Sequence, residues 1–264
     1  MINVRLSGGL GNQLFQLVCA LRYSENDPTK LRLYSEALGE YNAAREFELS
    51  KICDLDFASV KALPSLILKY RLAKFLNNDK FFINDKNYYL NTNVKNSAII
   101  FLDGYFQYEQ SWEIIAPSVQ FIKNKINKKI STTSTGGLVV HARGGDFLGN
   151  DLSHQHQITF YKNVLKNNKL AGFNSGILCC SDPSYGAKIV SFFQLHGINL
   201  SYEQRDDNDW QDDFQLLMNA EFVVGSRSTF AWWATLFGET RSIFPFDFTI
   251  SHPRELFHPW ETSL

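Results

Sequence analysis

The centre of this sequence is residues 138–147, Leu-Val-Val-His-Ala-Arg-Gly-Gly-Asp-Phe. The short apolar run, rich in β-branched residues, predicts a strand buried on both faces, and the glycines behind it predict a turn. Ligands of open α/β sheets bind just beyond the carboxyl ends of the strands, so we expect His141 and Arg143 to point into a crevice. The guanidinium of Arg143 suits a phosphate or carboxylate ligand, or equally a buried structural carboxylate of the protein itself.

The composition is that of an ordinary globular protein. Hydrophobic residues make up 44% and charged residues 20% of the 264 positions, enough for a large core in one big domain or in two of ordinary size. The formal net charge of −1 provides no global attraction to nucleic acid, so any anion site must be local. No apolar run reaches the roughly eighteen residues of a membrane span, and the first residues lack a secretory signal pattern. We therefore expect a cytoplasmic protein without a nucleic-acid partner.

The amino-terminal stretch has the order strand, glycine turn, helix. We predict a strand at residues 2–6, a turn at 7–13 and an apolar helix at 14–23. This order is typical of phosphate sites, because glycine lets the backbone approach a ligand and a helix start offers unpaired N–H groups. The turn nevertheless lacks the third glycine of the dinucleotide fingerprint and the Gly-Lys-Ser/Thr of a P-loop, so alone it is weak evidence.

A third stretch of the same kind lies near the carboxyl end. Residues 221–224 predict a strand, and residues 225–234, Gly-Ser-Arg-Ser-Thr-Phe-Ala-Trp-Trp-Ala, predict the start of a helix. Ser228 and Thr229 supply hydroxyls where the helix N–H groups face the crevice, which together suit a phosphate. The two tryptophans that follow are expected to pack the helix on the sheet.

Candidate metal ligands occur without the spacing that a metal site needs. The sequence Asp54-Leu55-Asp56 has the DxD form, but its helical, apolar context favours solvated surface carboxylates. His154 and His156 lie in a predicted loop at residues 148–157 with no third ligand nearby, which favours solvated loop histidines. The four cysteines lack CxxC spacing and are expected to be buried free thiols. We expect no bound metal.

Two other predicted strand ends carry polar side chains. Asp182 follows a predicted strand at residues 176–180, where it could face a ligand or cap the next helix with equal probability. Asp103, Tyr105 and Gln107 follow another strand and could contact a sugar, although an ordinary strand-turn-helix corner is favoured. The polar run at residues 131–137 predicts a linker between two halves that each open with a strand and a polar turn.

Together, the three motifs resemble those of the bacterial α1,2-fucosyltransferases, glycosyltransferase family eleven. The first, Gly-Gly-Leu-Gly-Asn-Gln-Leu-Phe-Gln, is intact at residues 8–16. The second, His-x-Arg-Arg-Gly-Asp-Tyr/Phe, corresponds to residues 141–147, and the third, Ser-x-Ser-Thr-Phe-x-Trp-Trp-Ala, to residues 226–234. The motifs occur in the family's order and span most of the chain. One position departs from the pattern, since Gly144 replaces the second arginine.

The resemblance implies an α/β fold of GT-B type, with two Rossmann-like domains facing across a cleft. Residues 1–134 would form the amino-terminal domain on the acceptor side, and residues 135–264 the domain that binds the GDP-sugar donor. It also implies a set of donor-binding residues: Gly11, Asn12, His141, Arg143, Asp213, Ser228, Thr229 and Phe230. In this set His141 and Arg143 would contact guanosine and diphosphate, Asn12 would reach toward the diphosphate or fucose, and Asp213 would contact guanine.

The reaction implied is the transfer of L-fucose from GDP-β-L-fucose to the 2-hydroxyl of a terminal galactose-type residue, with inversion, in surface polysaccharide or O-antigen synthesis. Arg143 and Asp146 are the candidate catalytic residues. Asp146 could take the acceptor proton or only orient Arg143, in which case a donor phosphate oxygen takes the proton. No cofactor is implied, and the acceptor would be an oligosaccharide or a lipid-linked glycan, with at most peripheral contact at the inner face of the membrane. The alternatives are transfer of another GDP-sugar and a non-catalytic nucleotide-sugar binding protein.

Overall fold

The computed structural model describes residues 1–35, 46–55, 58–59, 64–76, 81–85, 99–107, 112–126, 136–144, 151–202 and 210–245. These residues fall into two compact units, residues 1–126 and residues 136–245. Each unit is built on a sheet of five parallel strands.

The first unit alternates strands and helices around its sheet. The strand order across the sheet is β3-β2-β1-β5-β4, with β1 at the centre. The elements are β1 (Ile2–Arg5), α1 (Leu10–Ser24), β2 (Leu31–Tyr34), α2 (Leu49–Ile52), β3 (Ala58–Ser59), α3 (Pro64–Leu76), β4 (Phe82–Ile83), β5 (Ile100–Leu102) and α4 (Trp112–Lys123).

The second unit repeats this alternation. Its strand order is β10-β9-β6-β7-β8, again with its first strand at the centre. The elements are β6 (Leu138–His141), α5 (Asp151–Lys166), β7 (Ser175–Cys179), α6 (Pro183–Gln194), β8 (Asn199–Ser201), α7 (Trp210–Met218), β9 (Phe222–Val224), α8 (Thr229–Gly238) and β10 (Arg241–Ile243).

In both sheets the later strands are added on the opposite side of the first strand from the earlier ones. In the second sheet, β7 and β8 lie to one side of β6, and β9 and β10 lie to the other. This is the Rossmann arrangement, and its switch point between β6 and β9 is where such sheets bind ligands. The predicted α/β class with two Rossmann-like domains is confirmed.

Every position of the central strand of the second unit is buried in the core. Leu138, Val139, Val140 and His141 are all buried, as expected for a strand covered on both faces. The strand packs in one cluster with residues of α5 and α6, among them Tyr161, Val164 and Ile189.

Helix α1 begins at Leu10, four residues before the predicted start. The apolar positions Leu10, Leu14, Leu17 and Leu21 are all buried, so the helical period extends back through the glycine motif. The prediction that residues 7–13 form a turn is therefore wrong for residues 10–13. Gly8, with φ of 76°, and Gly9 form the actual turn.

Two other elements differ from prediction. Helix α5 starts at Asp151, so residues 151–157 are helical rather than a loop. The buried amide of Gln157, one turn before Tyr161, shows that this polar segment packs on the core. The helical context expected around residues 54–56 is only one turn, α2, which ends before them, and residues 58–59 form an edge strand on β2.

All four cysteines are buried and free, as predicted. Trp232 and Trp233 are buried in α8, which confirms their packing role. In the part of the chain that the structure describes, no helix has the length and apolar character needed to cross a membrane.

Candidate functional site

The candidate site is the crevice at the carboxyl ends of β6 and β9. The two strands are parallel and in register, with Val140 opposite Val224, so the chain leaves both at the same edge. Residues 142–144 follow β6, and residues 225–228 follow β9 and lead into α8. The structure therefore brings together the second and third sequence motifs, which lie far apart in the chain.

His141 is the last residue of β6 and is buried. Its Nδ1 lies 2.7 Å from the Ser226 hydroxyl, and its carbonyl accepts a hydrogen bond of 2.8 Å from the Tyr161 hydroxyl. Burial, aided by the positive charge of Arg143, lowers the pKa of His141 to about 3. The imidazole is therefore neutral at physiological pH and has one donor and one acceptor nitrogen. It can form hydrogen bonds to a ligand but adds no charge.

We predict that His141 makes the folded state sensitive to acid. Because its pKa is lower in the folded than in the unfolded chain, the unfolded chain takes up a proton first as the pH falls below about 6.5. The folded state therefore has its full stability above that pH and loses stability progressively as the pH falls toward 3. Between pH 7 and pH 5 the loss is about 2 kcal/mol. His141→Gln, measured by urea unfolding at both values, should remove this part of the pH dependence.

The matched control is His196→Gln, which removes an exposed imidazole two residues after the end of α6. That variant should keep the acid sensitivity of the natural protein. An unchanged pH dependence in His141→Gln would show that His141 is not the buried group responsible.

Arg143 is half-buried two residues beyond β6 and is fixed at two points. Its Nη1 donates to the backbone carbonyl of Arg227 over 3.4 Å, which joins the loops after β6 and β9. Its backbone N–H donates to the amide oxygen of Gln157 over 3.4 Å, and the Gln157 amide donates to the Tyr185 hydroxyl over 2.6 Å. The loop predicted at residues 148–157 gave no reason to expect Gln157 at the site, where it lies on α5.

Ser228 is the N-cap of α8. Its hydroxyl oxygen accepts from the N–H of Ala231 over 3.4 Å, and its hydroxyl proton remains able to donate to a ligand. Thr229 and Phe230 are the first two helical residues, both half-buried. The Phe230 ring packs against Phe214 with 5.2 Å between centroids and lies 6.4 Å from the His141 ring. The amino end of α8 thus borders the crevice next to His141.

Gly144 has no room for a side chain. A Cβ at this position would overlap the Cβ of Asp182. Asp182 itself caps α6, where its Oδ1 accepts from the Tyr185 N–H over 2.9 Å and from the Ser184 hydroxyl over 3.0 Å. The capping interpretation of Asp182 is confirmed, and its position leaves no room for a side chain at position 144.

Asp213 lies in the first turn of α7 and is half-buried. Burial raises the pKa of the Cys180 thiol to about 11, and the charges of Asp182 and Asp213 add to this rise. The charge of Asp213 therefore acts on the residue that follows β7. Its neighbour Phe214 contacts Phe230, which connects α7 to the crevice.

In the first unit, Gly11 and Asn12 lie in the first turn of α1. Gly11 is buried, and the Asn12 amide covers Gly8 so closely that a Cβ there would overlap it. The Gln107 amide donates to Oδ1 of Asn12 over 2.5 Å. The carboxyl ends of β1 and β5 therefore meet at Asn12, although the helix rather than the turn carries this residue.

Asp103 is a structural residue of the first unit. It accepts from Tyr70 over 2.6 Å and forms ion pairs with Lys74 at 3.1 Å and Arg5 at 3.3 Å. Burial alone would raise the pKa of Asp103, but the hydrogen bonds from Tyr70 and Lys74 lower it. The residue holds α3 to the sheet, as expected of an ordinary corner.

Some predicted residues lie outside the described residues, namely Asp146 and Asp56. His154 and His156 are on α5, and the His154 ring packs edge-on against Tyr185 at 5.2 Å. The prediction that these two histidines lie in a loop is therefore wrong, because both are on a helix. Within the described ranges, no cluster of three His, Cys, Asp or Glu residues could hold a metal ion.

No protein-family model matches this sequence, and no curated protein sequence matches it significantly. The fold, by contrast, matches solved structures. The crystal structure of the selenomethionine fucosyltransferase NodZ from Bradyrhizobium has a TM-score of 0.54 at 13% identity, over 96% of each chain. NodZ α-1,6-fucosyltransferase soaked with GDP-fucose has a TM-score of 0.54, and NodZ co-crystallised with GDP has 0.53. Both are 13% identical and cover 89% of this chain and 92% of that chain. The likeness establishes an α/β fold shared with GT-B-like fucosyltransferases.

Proposed function

We propose that this protein is a metal-independent, inverting fucosyltransferase. The donor is GDP-β-L-fucose, and the acceptor position is the 2-hydroxyl of a terminal galactose-type residue, which gives an α1,2 linkage in a surface polysaccharide or O-antigen. The observation that carries the proposal is the convergence of His141 and Arg143 with residues 226–229 at the switch point of the second sheet. Rossmann sheets bind nucleotide diphosphates at this point. The shared fold with NodZ, named a fucosyltransferase, supports the same reading.

The donor is held mainly by residues 135–264, the proposed donor domain. The guanidinium of Arg143 binds the diphosphate, together with Ser228, Thr229 and the N–H groups that start α8. Neutral His141 forms a hydrogen bond to the donor and adds no second charge beside Arg143. The Phe230 ring offers an apolar face beside His141. Asp213 is the proposed guanine contact. Residues 1–134 take the acceptor, with Gly11 and Asn12 as the proposed donor contacts of that domain.

The chemistry is a single displacement at the anomeric carbon. The bond from carbon to the diphosphate oxygen breaks as the acceptor oxygen attacks from the opposite face, which inverts the β linkage of the donor into an α product. Negative charge grows on the departing GDP, and Arg143 with the start of α8 stabilises it in place. The proton of the acceptor hydroxyl goes to Asp146, or to a phosphate oxygen if Asp146 only orients Arg143.

We predict that turnover survives removal of divalent metal. The positive charge of Arg143 and the N–H groups of α8 do what a cation does in metal-dependent enzymes. The rate of GDP release in about 10 mM EDTA, a concentration well above the dissociation constants of most protein sites for divalent cations, should equal the rate without chelator. Loss of activity in EDTA and its return with Mn²⁺ or Mg²⁺ would contradict this prediction.

The function itself is tested by incubating the full chain with GDP-fucose and a panel of galactosides, with GDP-mannose as the competing donor. GDP release that requires both GDP-fucose and a galactoside, with a product whose fucose is on the 2-position by NMR, supports the proposal. Release of GDP from GDP-mannose but not from GDP-fucose indicates a different sugar specificity. Binding of GDP-fucose by calorimetry without any GDP release indicates a non-catalytic binding protein.

A further inference from the structure

Helix α3 in the first unit has an exposed apolar stripe. Leu68, Leu72, Phe75 and Leu76 are 69%, 55%, 85% and 57% exposed, and together they are half of the large exposed hydrophobic side chains found among the described residues. They occupy positions i, i+4, i+7 and i+8 of one helix. At 3.6 residues per turn, this spacing places them within an arc of about 100°. A contiguous patch of this kind on a surface helix marks an interaction site.

The opposite face of α3 is fixed to the rest of the unit. Ala73 is buried, and the Tyr70 ring packs against Phe82 and Phe101 with centroid distances of 6.0 and 6.1 Å. The Tyr70 hydroxyl donates to Asp103 over 2.6 Å. Because this inner face is held by ring packing and hydrogen bonds, the helix is anchored with its apolar stripe pointing away from the core.

Positive charge borders the stripe on both sides. Lys69 and Arg71 are exposed and project on either side of the Leu68–Leu72 line, since each residue turns the helix by about 100°. Neither forms an ion pair or side-chain hydrogen bond within the described residues. Residues 64–76 contain no Asp or Glu. The helix is therefore locally cationic in a chain whose net charge is only −1.

We propose that α3 is an interfacial helix that docks this protein on an anionic lipid bilayer. An apolar stripe of Leu and Phe flanked by Lys and Arg is the arrangement by which amphipathic helices lie in a membrane surface. The apolar side chains enter the boundary between head groups and acyl chains, while the two cationic side chains extend their alkyl stems and reach anionic head groups. The two flanking cations complement the negative surface of an anionic bilayer, so the charge pattern favours lipid.

This inference rests on the geometry of α3 and is independent of the proposed transferase function. It would place residues 1–134, the proposed acceptor domain, at the surface where a lipid-linked glycan is found. The two proposals can fail separately, because vesicle binding requires no GDP-fucose and GDP release can be assayed with a water-soluble galactoside.

The test is cosedimentation of the full chain with vesicles of phosphatidylcholine alone and of phosphatidylcholine with a third of phosphatidylglycerol. Binding should require the anionic lipid and should weaken as salt is raised. The double variant Leu72→Gln/Phe75→Gln should lower the partition coefficient at least about tenfold, because two apolar side chains no longer enter the bilayer. Lys69→Gln and Arg71→Gln should each lower it about fivefold, the equivalent of roughly 1 kcal/mol per basic residue at an anionic surface.

The matched controls are Leu195→Gln, which removes an 86% exposed leucine from the second unit, and Lys188→Gln, which removes an exposed lysine from α6. Both should bind vesicles like the natural protein, and circular dichroism should show all variants folded. Absence of binding to anionic vesicles, or equal losses in the stripe variants and the controls, would overturn the proposal. So would a dimer, seen by sedimentation, that Leu72→Gln/Phe75→Gln dissociates, since the stripe would then join two copies of the chain.

Discussion

Arg143→Ala should lower the turnover of GDP-fucose by about a hundredfold or more, the usual cost of one lost charge-stabilising donor. The arginine stands two residues beyond β6, and its Nη1 reaches the carbonyl of Arg227, so its guanidinium lies between the two loops that line the crevice. In the variant, the negative charge that develops on the departing diphosphate would no longer have this guanidinium beside it. Because the interaction strengthens as the bond breaks, kcat should fall more than the affinity for GDP-fucose.

Arg143→Lys should recover only part of the lost activity. Lysine keeps the charge but not the planar, two-point contact of a guanidinium, and Gly144 offers no second arginine beside it. Arg32→Ala, which removes an exposed arginine from β2, is the control for loss of a positive charge alone. Thermal unfolding is measured for each variant. If Arg143→Ala retains activity, or loses it only because the protein unfolds, Arg143 is structural and the proposed mechanism is wrong.

Gly144→Arg, which introduces the second arginine of the motif that this stretch resembles, should destabilise the protein rather than activate it. The new Cβ would overlap the Cβ of Asp182, and the displaced aspartate would no longer cap α6 through the Tyr185 N–H. Overpacking typically costs 1–3 kcal/mol and a lost cap about 1 kcal/mol, so we expect the free energy of unfolding to fall by about 3 kcal/mol. Urea unfolding at pH 7 measures this difference.

A second substitution distinguishes overlap from a general intolerance of arginine. Asp182→Gly removes the overlapping Cβ, and glycine is itself an acceptable N-cap residue, so alone it should cost little. In the double variant Gly144→Arg/Asp182→Gly much of the lost stability should return, which a double-mutant cycle would record as strong coupling. Additive losses would mean that the absence of a side chain at position 144 has another cause.

The strands that build the candidate site were predictable from sequence because they are buried on both faces. The apolar runs of β6 and β9 are continuous and end at polar turns, so the sequence pattern located both strands to within one or two residues. The strands β4, β8 and β10 gave no such signal. They have only two or three residues, and β8 and β10 mix exposed and buried positions.

Two helix starts were misplaced for physical reasons that differ. At α1 the glycine motif suggested a turn, but the buried leucines of residues 10–21 dominate, and helix propensity is only a weak preference that packing overrides. At α5 the polar residues before Phe160 suggested a loop, whereas burial of Gln157 against Tyr185 keeps that segment helical. The residues that support the site from behind, Gln157 and Tyr161, could not be found without knowing this packing.

Within the site, sequence indicated which motifs matter but not how they connect. Parallel strands made it foreseeable that residues after β6 and β9 would be neighbours. The particular contacts, between His141 and Ser226 and between Arg143 and the Arg227 carbonyl, depend on register and side-chain geometry. The lack of space for a side chain at Gly144 was likewise not predictable, because the overlapping residue, Asp182, follows a different strand.

The central position of the first strand in each sheet also determines how late in folding the contacts on its two sides are complete. The contact between His141 and Ser226 spans 85 residues, and the one between Asn12 and Gln107 spans 95. Contacts of such long range carry the greatest loop-closure entropy and slow the folding of a chain. In the second unit, β6, β7 and β8 can pair early in synthesis, yet the crevice is complete only after β9 has joined the other side of β6. A ligand bound there therefore stabilises the whole unit rather than one loop, and its binding reports that the last long-range pairing has formed.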